Sequence, residues 1–236
     1  MGRAFVLVLA MVAASPAAAF VDDFESESLG ALNGQNGWFS SMNHTAGTFD
    51  VENTTVLNGA QSLSLSGVPG GITEYRQLVP WSSYCTVTWE LQVTDEYSGI
   101  YACDVDDWTE NWGVWVDMFG NVYVDDSVGY WSSGGTVTPG VAHTYRMVQS
   151  PFGTIDLYID GSGTPSYSGS VMTIGTGAQD RLILSYWSGG GGSANQAIWD
   201  DIVYSVPPAI TVVKTATGGE GVGAPVQYQI AVTNVG

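Results

Sequence analysis

The stretch "CTVTWELQV", residues 85–93, alternates apolar and polar side chains without a break. Successive side chains of a β-strand point to opposite faces, so this alternation predicts a strand with one buried face and one solvated face. The residues on the predicted buried face are Cys85, Val87, Trp89, Leu91 and Val93.

Similar short runs follow along the chain, with turn residues between them. "WGVWVDM" and "NVYVDD" flank residues 119–121, and "HTYRMVQ" and "TIDLYID" flank residues 150–153. Both patterns indicate β-hairpins. No ten-residue window shows sustained helical periodicity. Many half-buried strands separated by glycine-rich turns predict an all-β protein, folded as a two-sheet antiparallel sandwich.

The charge balance of the sequence limits the kinds of molecule that we expect the protein to bind. The 236 residues include 5 Lys plus Arg against 23 Asp plus Glu, for a net charge of −18. Such a surface repels nucleic acid and anionic membranes, but it does not repel divalent cations or neutral glycans. We therefore expect no nucleic-acid partner. The 44% hydrophobic content is enough to fill a core and argues against disorder.

The two ends of the chain differ from its middle. Residues 1–19 combine one basic residue, a short apolar run and a small-residue cleavage site, which predicts a secretory signal peptide and no membrane insertion. The main domain is predicted over residues 20–205. Two prolines in the linker 206–209 interrupt strand patterning, and residues 210–236 read as the start of a second β domain.

Several motifs resemble known families. "HTYRMVQSPFGTIDLYIDGS" resembles the paired strands of concanavalin A-like lectin/glucanase (laminin-G-like) jelly rolls. "DDFESESLGALNGQNGW" and "AIWDDIVYS" resemble the opening and closing strands of secreted bacterial members. The resemblance implies a jelly roll with its first and last strands side by side. The tail is similar to the first strands of an Ig-like repeat found in tandem on bacterial surface proteins, which implies a truncated Ig-like segment of a larger protein.

Catalytic motifs are not apparent. Retaining glucanases of the resembling fold carry E-x-D-x-(x)-E on one strand, and "DVDDWTENW" lacks that order. His44 and His143 lie far apart, and no G-x-S-x-G elbow accompanies either of them. The sequence therefore favours a protein that is not an enzyme.

The aromatic residues are the stronger functional signal. Flat rings near loops can stack on the faces of sugars, although packing beneath a loop is an equally good explanation for each ring. Trp89, Trp115 and Trp199 lie mid-strand and are predicted to be core. The tryptophans predicted to stack on a glycan are Trp108, Trp112, Trp131 and Trp187.

Acidic residues cluster where the chain ends are expected to meet. If the first and last strands are neighbours, Asp23 and Glu25 approach Asp200 and Asp201 with no basic residue close in sequence. Calcium takes 6–8 oxygen ligands, so these four residues are predicted to hold a structural Ca²⁺. Strand alternation allows Asp23 and Glu25 to point together, but only one of Asp200 and Asp201. The alternative is a solvated acidic edge that discourages strand pairing between molecules.

Cys85 and Cys103 are predicted not to form a disulfide. Export favours a bridge, but a hairpin turning at residues 94–99 would place the two residues too far apart.

These features predict a secreted or cell-surface, non-catalytic module of a larger protein. Its partner would be a polysaccharide or the glycan of a glycoprotein, with binding or adhesion as its role. Two alternatives stay open: a glycoside hydrolase or polysaccharide lyase on the same sandwich, and a purely structural spacer.

Overall fold

The computed structural model describes residues 17–45, 48–66, 72–78, 84–95, 97–104, 110–172, 179–187, 197–206, 210–217 and 227–234. These residues form strands, turns and loops, and no helix among them is long and apolar enough to cross a membrane. The strands in chain order are β1 (Ala17–Asp22), β2 (Gly30–Ala31), β3 (Phe39–Thr45), β4 (Thr48–Glu52), β5 (Ser62–Ser66), β6 (Ile72–Leu78), β7 (Cys85–Val93), β8 (Tyr97–Asp104), β9 (Glu110–Asp117), β10 (Asn121–Asp126), β11 (Gly129–Thr136), β12 (His143–Gln149), β13 (Thr154–Ile159), β14 (Tyr167–Ser170), β15 (Gln179–Trp187), β16 (Ala197–Val206), β17 (Ile210–Thr217) and β18 (Gln227–Asn234).

The first sheet has nine strands and is centred on the stretch 85–93. Its order is β14-β13-β12-β7-β16-β5-β4-β2, and β1 also pairs with β16. Strand β7 lies between β12 and β16, and its residues alternate between buried and half-buried along its whole length. The predicted buried face is therefore confirmed, and on it Trp89 stacks on Tyr145 with ring centroids 5.5 Å apart.

The second sheet has seven strands, in the order β11-β10-β9-β8-β15-β6-β3. One of its faces carries Ile100, Val114 and Val124, which are buried in the same core as Trp89 and Trp199. The two sheets thus pack face to face around one apolar core, and the predicted antiparallel β-sandwich is confirmed.

Both predicted hairpins are present. Strand β9 pairs with β10, and β12 pairs with β13. The first turn requires glycine, because Gly120 has a φ of +81° and a Cβ there would lie 2.2 Å from the Val137 carbonyl oxygen.

A third predicted hairpin, between β7 and β8, is wrong. The two strands lie in different sheets, β7 between β12 and β16 and β8 between β9 and β15. An alternating run has one apolar face whichever sheet it joins, so its pattern does not specify its partner. Cys85 is nevertheless a free thiol, and burial raises its pKa to about 12.

The first and last strands of the sandwich lie side by side, as the resemblance implied, because β1 pairs with β16. Strand β16 is irregular, with a register shift against β7 between Asp200 and Val203. Trp199 and Ile202 are both fully buried although they are three residues apart. An extra residue in the strand therefore interrupts the alternation at Asp200 and Asp201.

The two large sheets belong to one compact unit, Ala18–Val206. Strands β17 and β18 form a separate two-stranded antiparallel sheet in the other unit, with Ile210 opposite Asn234 and Thr217 opposite Gln227. The Ig-like identity of this tail stays a prediction.

Candidate functional sites

A small cavity, here called the acidic cavity, opens where the loop after β1, the loop between β4 and β5, and strand β16 meet. Its volume is about 130 Å³. The structure brings together in it all four predicted metal ligands and two residues that the sequence did not single out. The lining residues are Asp23, Glu25, Asn58, Gly59, Asp200 and Asp201.

The acidic residues at the end of the first strand point to different sides of the chain. Asp22 turns inward, where its carboxylate accepts hydrogen bonds from the indole Nε1 of Trp38 at 2.6 Å and the Nδ2 of Asn36 at 3.1 Å. Burial raises the pKa of Asp22, and these bonds lower it in part. Asp23 and Glu25, on the other side of the chain, line the acidic cavity.

Asp200 is the buried anchor of the acidic cavity and is only 1% exposed. Its carboxylate accepts hydrogen bonds from Ser62 Oγ at 2.6 Å, from the backbone amide of Asn58 at 3.1 Å and from the backbone amide of Asp201 at 2.9 Å. Burial and, to a smaller extent, the charge of Asp201 raise the pKa of Asp200 to about 6, although these hydrogen bonds lower it in part. Asp200 is therefore held in place but is costly to ionise.

Each of the other three carboxylates of the acidic cavity accepts hydrogen bonds on one of its two oxygens. Glu25 Oε1 accepts from the amides of Ala60 and Gln61, Asp23 Oδ1 accepts from the Glu25 amide, and Asp201 Oδ2 accepts from Asn58 Nδ2. The second oxygen of each accepts no hydrogen bond from a described residue.

No basic side chain that the structure describes is paired with these carboxylates. Arg146, the one Lys or Arg whose side chain is described, lies over the ring of Tyr158, and His143 is paired with Asp160. In the described part of the chain, no three acidic, histidine or cysteine side chains already stand as a metal-binding group. The cavity thus contains oxygen ligands for a cation, but they are not arranged as a complete coordination shell.

Two backbone features bring these side chains together. Asp201 has a φ of +49°, which with the irregularity of β16 places it beside Asp200 rather than on the opposite face. Gly59 has a φ of +67°, and a Cβ there would lie 2.1 Å from Glu25 Oε1. The prediction that only one of Asp200 and Asp201 could face the site was therefore wrong.

A second site, here called the aromatic face, lies on the side of the seven-stranded sheet that faces away from the core. Ile100, Val114 and Val124 point into the core, so the residues next to them in each strand point outward. The sequence assigned Trp115 to the core; it is half-buried and packs on this face against a second buried cluster, formed by Tyr101 and Ile183. The members of the aromatic face are Tyr97, Tyr101, Trp115, Tyr123 and Trp131.

The five rings support one another. Tyr101 stacks on Trp115 at 5.9 Å, and Trp115 lies 6.1 Å from Trp131 with the two planes tilted by 31°. Tyr97 and Tyr123 meet Trp131 edge-on at 5.2 and 5.1 Å. At these contact distances no ligand fits between the rings, so a ligand must lie across their outer surface, where Trp131 is 38% exposed.

A buried carboxylate holds the two tryptophans. Asp125 Oδ2 accepts a hydrogen bond from the indole Nε1 of Trp115 at 2.6 Å, and Oδ1 accepts one from the backbone amide of Trp131 at 2.8 Å. Trp131 has a φ of +68°, a conformation that is rare for a large side chain. Burial raises the pKa of Asp125, with a smaller contribution from the charge of Asp126.

Glycines make room for the Trp115 ring. Gly99 is the cross-strand partner of Trp115, and a Cβ on Gly99 would lie 2.7 Å from the ring. A Cβ on Gly113 would lie 3.0 Å from Asp125 Oδ2 and 3.1 Å from Trp115 Nε1. Glycines in two neighbouring strands, beside aromatic residues, were the sequence signal that could have revealed this face.

The four tryptophans predicted to stack on a glycan have different positions. Trp131 lies in the aromatic face, and Trp108 lies outside the described residues. Trp187 ends β15 opposite Tyr97, and its side chain is outside the described part. The prediction for Trp112 is wrong: it is fully buried and donates its indole hydrogen bond to Gln149 Oε1 at 3.1 Å, because it continues the core face of β9.

Comparison with known proteins shows the fold. No protein-family model and no curated protein matches the sequence. The structure resembles the globular domain of T. cruzi calreticulin, at 11% identity and a TM-score of 0.51 over 80% of this chain and 88% of that chain. It also resembles a conserved carbohydrate esterase of the Shiga toxin-encoding bacteriophage phi24B, at 14% identity and a TM-score of 0.52 over 79% and 99% of the two chains.

A third similar structure comes from the endo-acting O-glycanases that prominent members of the human gut microbiota express to initiate mucin breakdown. The identity is 10% and the TM-score 0.50, over 80% of this chain and 99% of that chain. At such identities the likeness establishes a shared β-sandwich and leaves the function to the sites themselves.

Proposed function

We propose that this protein is a secreted or cell-surface module that binds or adheres to glycans without cleaving them, and that the aromatic face is its binding surface. The observation that carries the proposal is Trp131. Its ring is 38% exposed, rests on three other rings of the face, and is held by a backbone at a φ of +68°. Unusual backbone conformations persist where the surroundings enforce them and concentrate at ligand sites.

The similar structures support this choice of ligand. One of them is a carbohydrate esterase and another comes from a set of O-glycanases, so the sandwich is used by proteins that handle carbohydrate. Exposed aromatic rings offer a flat apolar surface to the C–H face of a sugar, while the net charge of −18 disfavours polyanionic ligands. A polysaccharide or the glycan of a glycoprotein is therefore the partner that we propose.

The carboxylates of the aromatic face support binding over hydrolysis. Asp117 accepts hydrogen bonds from the amides of Phe119 and Asn121 and from the Tyr123 hydroxyl. Both oxygens of Asp125 are used by Trp115 and Trp131. A glycosidase needs one carboxylate that attacks the sugar or activates water and another that protonates the leaving group, whereas these two hold a turn and two rings.

A glycan array tests the proposal. We expect the purified protein to bind at least one glycan, and Trp131→Ala to weaken that binding about tenfold or more. Phe152→Ala is the matched control, because Phe152 is an 87% exposed aromatic residue in the β12–β13 turn of the other sheet. Shortened products, detected by mass spectrometry of the bound glycan, would identify an enzyme instead. Absence of binding to every glycan would leave a structural spacer.

We also propose that the acidic cavity binds Ca²⁺, with a structural role in joining the first and last strands. Glu25 and Asp200 would be the main side-chain ligands, supported by Asp23 and Asp201. The oxygen-only donor set and the lack of a described basic partner suit a hard cation. The positive charge of the bound ion would stabilise the ionised form of Asp200 and offset the cost of burying that charge.

Thermal unfolding tests the calcium proposal. A ligand that binds only the folded state raises the melting temperature by mass action, so we expect a higher value in millimolar Ca²⁺ than in chelator. Equal melting temperatures in the two buffers would show that the acids are only a solvated edge.

A further inference from the structure

One carboxylate contacts both tryptophans of the aromatic face. Asp125 is 2% exposed and accepts one hydrogen bond from the ring of Trp115 and another from the backbone of Trp131. The two bonds are of different kinds. The first sets the position of a side chain, and the second holds the backbone from which the exposed ring projects.

The bond to Trp131 acts at an irregular point in the sheet. The pairing of β10 with β11 shifts register between Val124 and Asp126, and Trp131 has a φ of +68°. A non-glycine residue in this region is sterically disfavoured, so a compensating contact helps to hold it there. If Asp125 no longer accepted its amide hydrogen, Trp131 would relax toward an extended backbone and its ring would move.

Resting on the proposed function, we propose that Asp125 is the positioning residue of the aromatic face: its carboxylate preforms the glycan-binding surface, and its protonation weakens glycan binding in acid.

The chemistry of the carboxyl group gives the direction of this effect. A carboxylate accepts hydrogen bonds on both oxygens, whereas a neutral carboxyl group donates from one of them. Protonated Asp125 therefore cannot serve both N–H donors equally. Because burial raises the pKa of Asp125, protonation begins at a higher pH than for an exposed aspartate.

Other titratable groups near Asp125 must be separated from it. Tyrosine phenols stay protonated throughout the acid range, which leaves two carboxyls as competitors. The groups on the strands packed around Asp125 are Asp117 on β9, Tyr123 and Asp126 on β10, Tyr97 and Tyr101 on β8, and Tyr130 on β11. Asp126 accepts hydrogen bonds from the Val128 amide in the β10–β11 turn and from the Tyr167 hydroxyl of β14, so these bonds do not involve Trp115 or Trp131.

Unfolding does not account for weaker binding in acid. Since the pKa of Asp125 is raised in the folded protein, protonating this group favours folding as pH falls. Its contributions to stability and to glycan binding thus respond to acid in opposite directions. If Asp125 had a purely structural role, its protonation would change stability but not glycan affinity.

The experiment compares the purified protein with Asp125→Asn, Trp131→Ala and the double variant. Affinity for the best glycan from the array is measured by titration at pH 7.5 and pH 4.5. At pH 7.5 we expect Asp125→Asn to weaken binding about tenfold. Acid should weaken binding by the wild-type protein but should change binding by Asp125→Asn little. The effects of the two substitutions should be less than additive in the double variant, because part of the effect of Asp125 acts through Trp131.

Two controls separate this inference from the proposed function. Asp117→Asn and Asp126→Asn should each keep the acid dependence of the wild type. Near-ultraviolet circular dichroism reports the tryptophan environment without any glycan, and it should change in Asp125→Asn. Wild-type affinity in Asp125→Asn, or acid dependence that survives in it, would overturn the positioning role while leaving glycan binding intact. If no glycan binds the wild type, the proposed function itself fails, and the acid effect fails with it.

Discussion

The acidic cavity and the aromatic face are both built around a buried aspartate, but the surroundings of the two residues differ. Asp200 shares its cavity with three other carboxylates. Asp125 lies between an indole N–H and a backbone N–H on a surface of aromatic rings. Burial raises the pKa of both residues.

The difference shows what each carboxylate can do. Around Asp125 the two donors satisfy both oxygens, so the group needs no cation and its role is to position what it contacts. Around Asp200 the hydrogen bonds are good, but the neighbouring charges have the same sign, so a cation improves the site. The same residue type therefore serves a candidate ion site in one region and a preformed surface in the other.

The largest expected effect is on the calcium response. At Ca²⁺ concentrations of about 100 times Kd, binding stabilises the fold by ~2.7 kcal/mol, which is a rise in melting temperature of roughly 5–10 °C for a domain of this size. Glu25→Gln/Asp200→Asn should abolish the rise. Asp125→Asn should leave it unchanged, and an equal loss in that variant would erase the distinction between the two regions.

The next effect comes from adding one methyl group at each site. Gly59→Ala places a Cβ 2.1 Å from Glu25 Oε1, and Gly113→Ala places one 3.0 Å from Asp125 Oδ2. At Gly113 the neighbouring Asp125 is buried, so overpacking costs ~1–3 kcal/mol. At Gly59 the exposed Glu25 side chain can move aside, so the cost comes mainly from the positive φ of Gly59. Both melting temperatures should fall.

The two glycine variants should also differ in function. Gly59→Ala should reduce the calcium response and keep glycan binding, and Gly113→Ala should do the reverse. Thermal shifts with and without Ca²⁺, together with glycan titration, measure both properties. Loss of the same property in both variants would indicate that the sites are coupled.

A smaller effect is expected from pH in the presence of chelator. Burial raises the pKa of Asp22, Asp125 and Asp200, the last to about 6. Between their ordinary values near ~3.9 and these raised values, the folded protein binds more protons than the unfolded chain, so stability falls as pH rises through that window. The melting temperature should therefore be higher at pH 5 than at pH 7.5, and Asp200→Asn should reduce the difference. A higher melting temperature at pH 7.5 would contradict the raised values.

The smallest effect is expected outside both regions. Phe119 is exposed at the tip of the β9–β10 turn, and the bond that it makes to Asp117 uses its backbone amide. Phe119→Ser should change the free energy of unfolding by less than ~0.5 kcal/mol and should leave the calcium response and glycan binding unchanged. Denaturant unfolding measures the first quantity.

Local patterns predicted much of the fold and part of each site. The alternation in residues 85–93 identified the buried face of β7, and turn residues identified the β9–β10 and β12–β13 hairpins. These properties depend on neighbours in sequence, which is why they can be read without the fold.

Other properties depended on which strand lies beside which. The same alternating pattern allowed β7 to be paired wrongly with β8, and it did not reveal that Trp112 faces the core while Trp115 faces outward. The irregularity in β16 placed both Asp200 and Asp201 at one cavity, although regular alternation would separate them. Register shifts arise from long-range pairing and carry no simple local signal.

The sequence by itself determined the all-β class, the burial pattern of the central strand and an acid-rich, base-poor composition, because all three are properties of residue types and their spacing. The tertiary structure alone decided the membership of the two sites. It joined residues from β8, β9, β10 and β11 into the aromatic face and residues near 25, 58 and 200 into the acidic cavity. The reason is physical: ring contacts and carboxylate clusters require ångström-scale proximity across neighbouring strands, and only sheet pairing and register set that proximity.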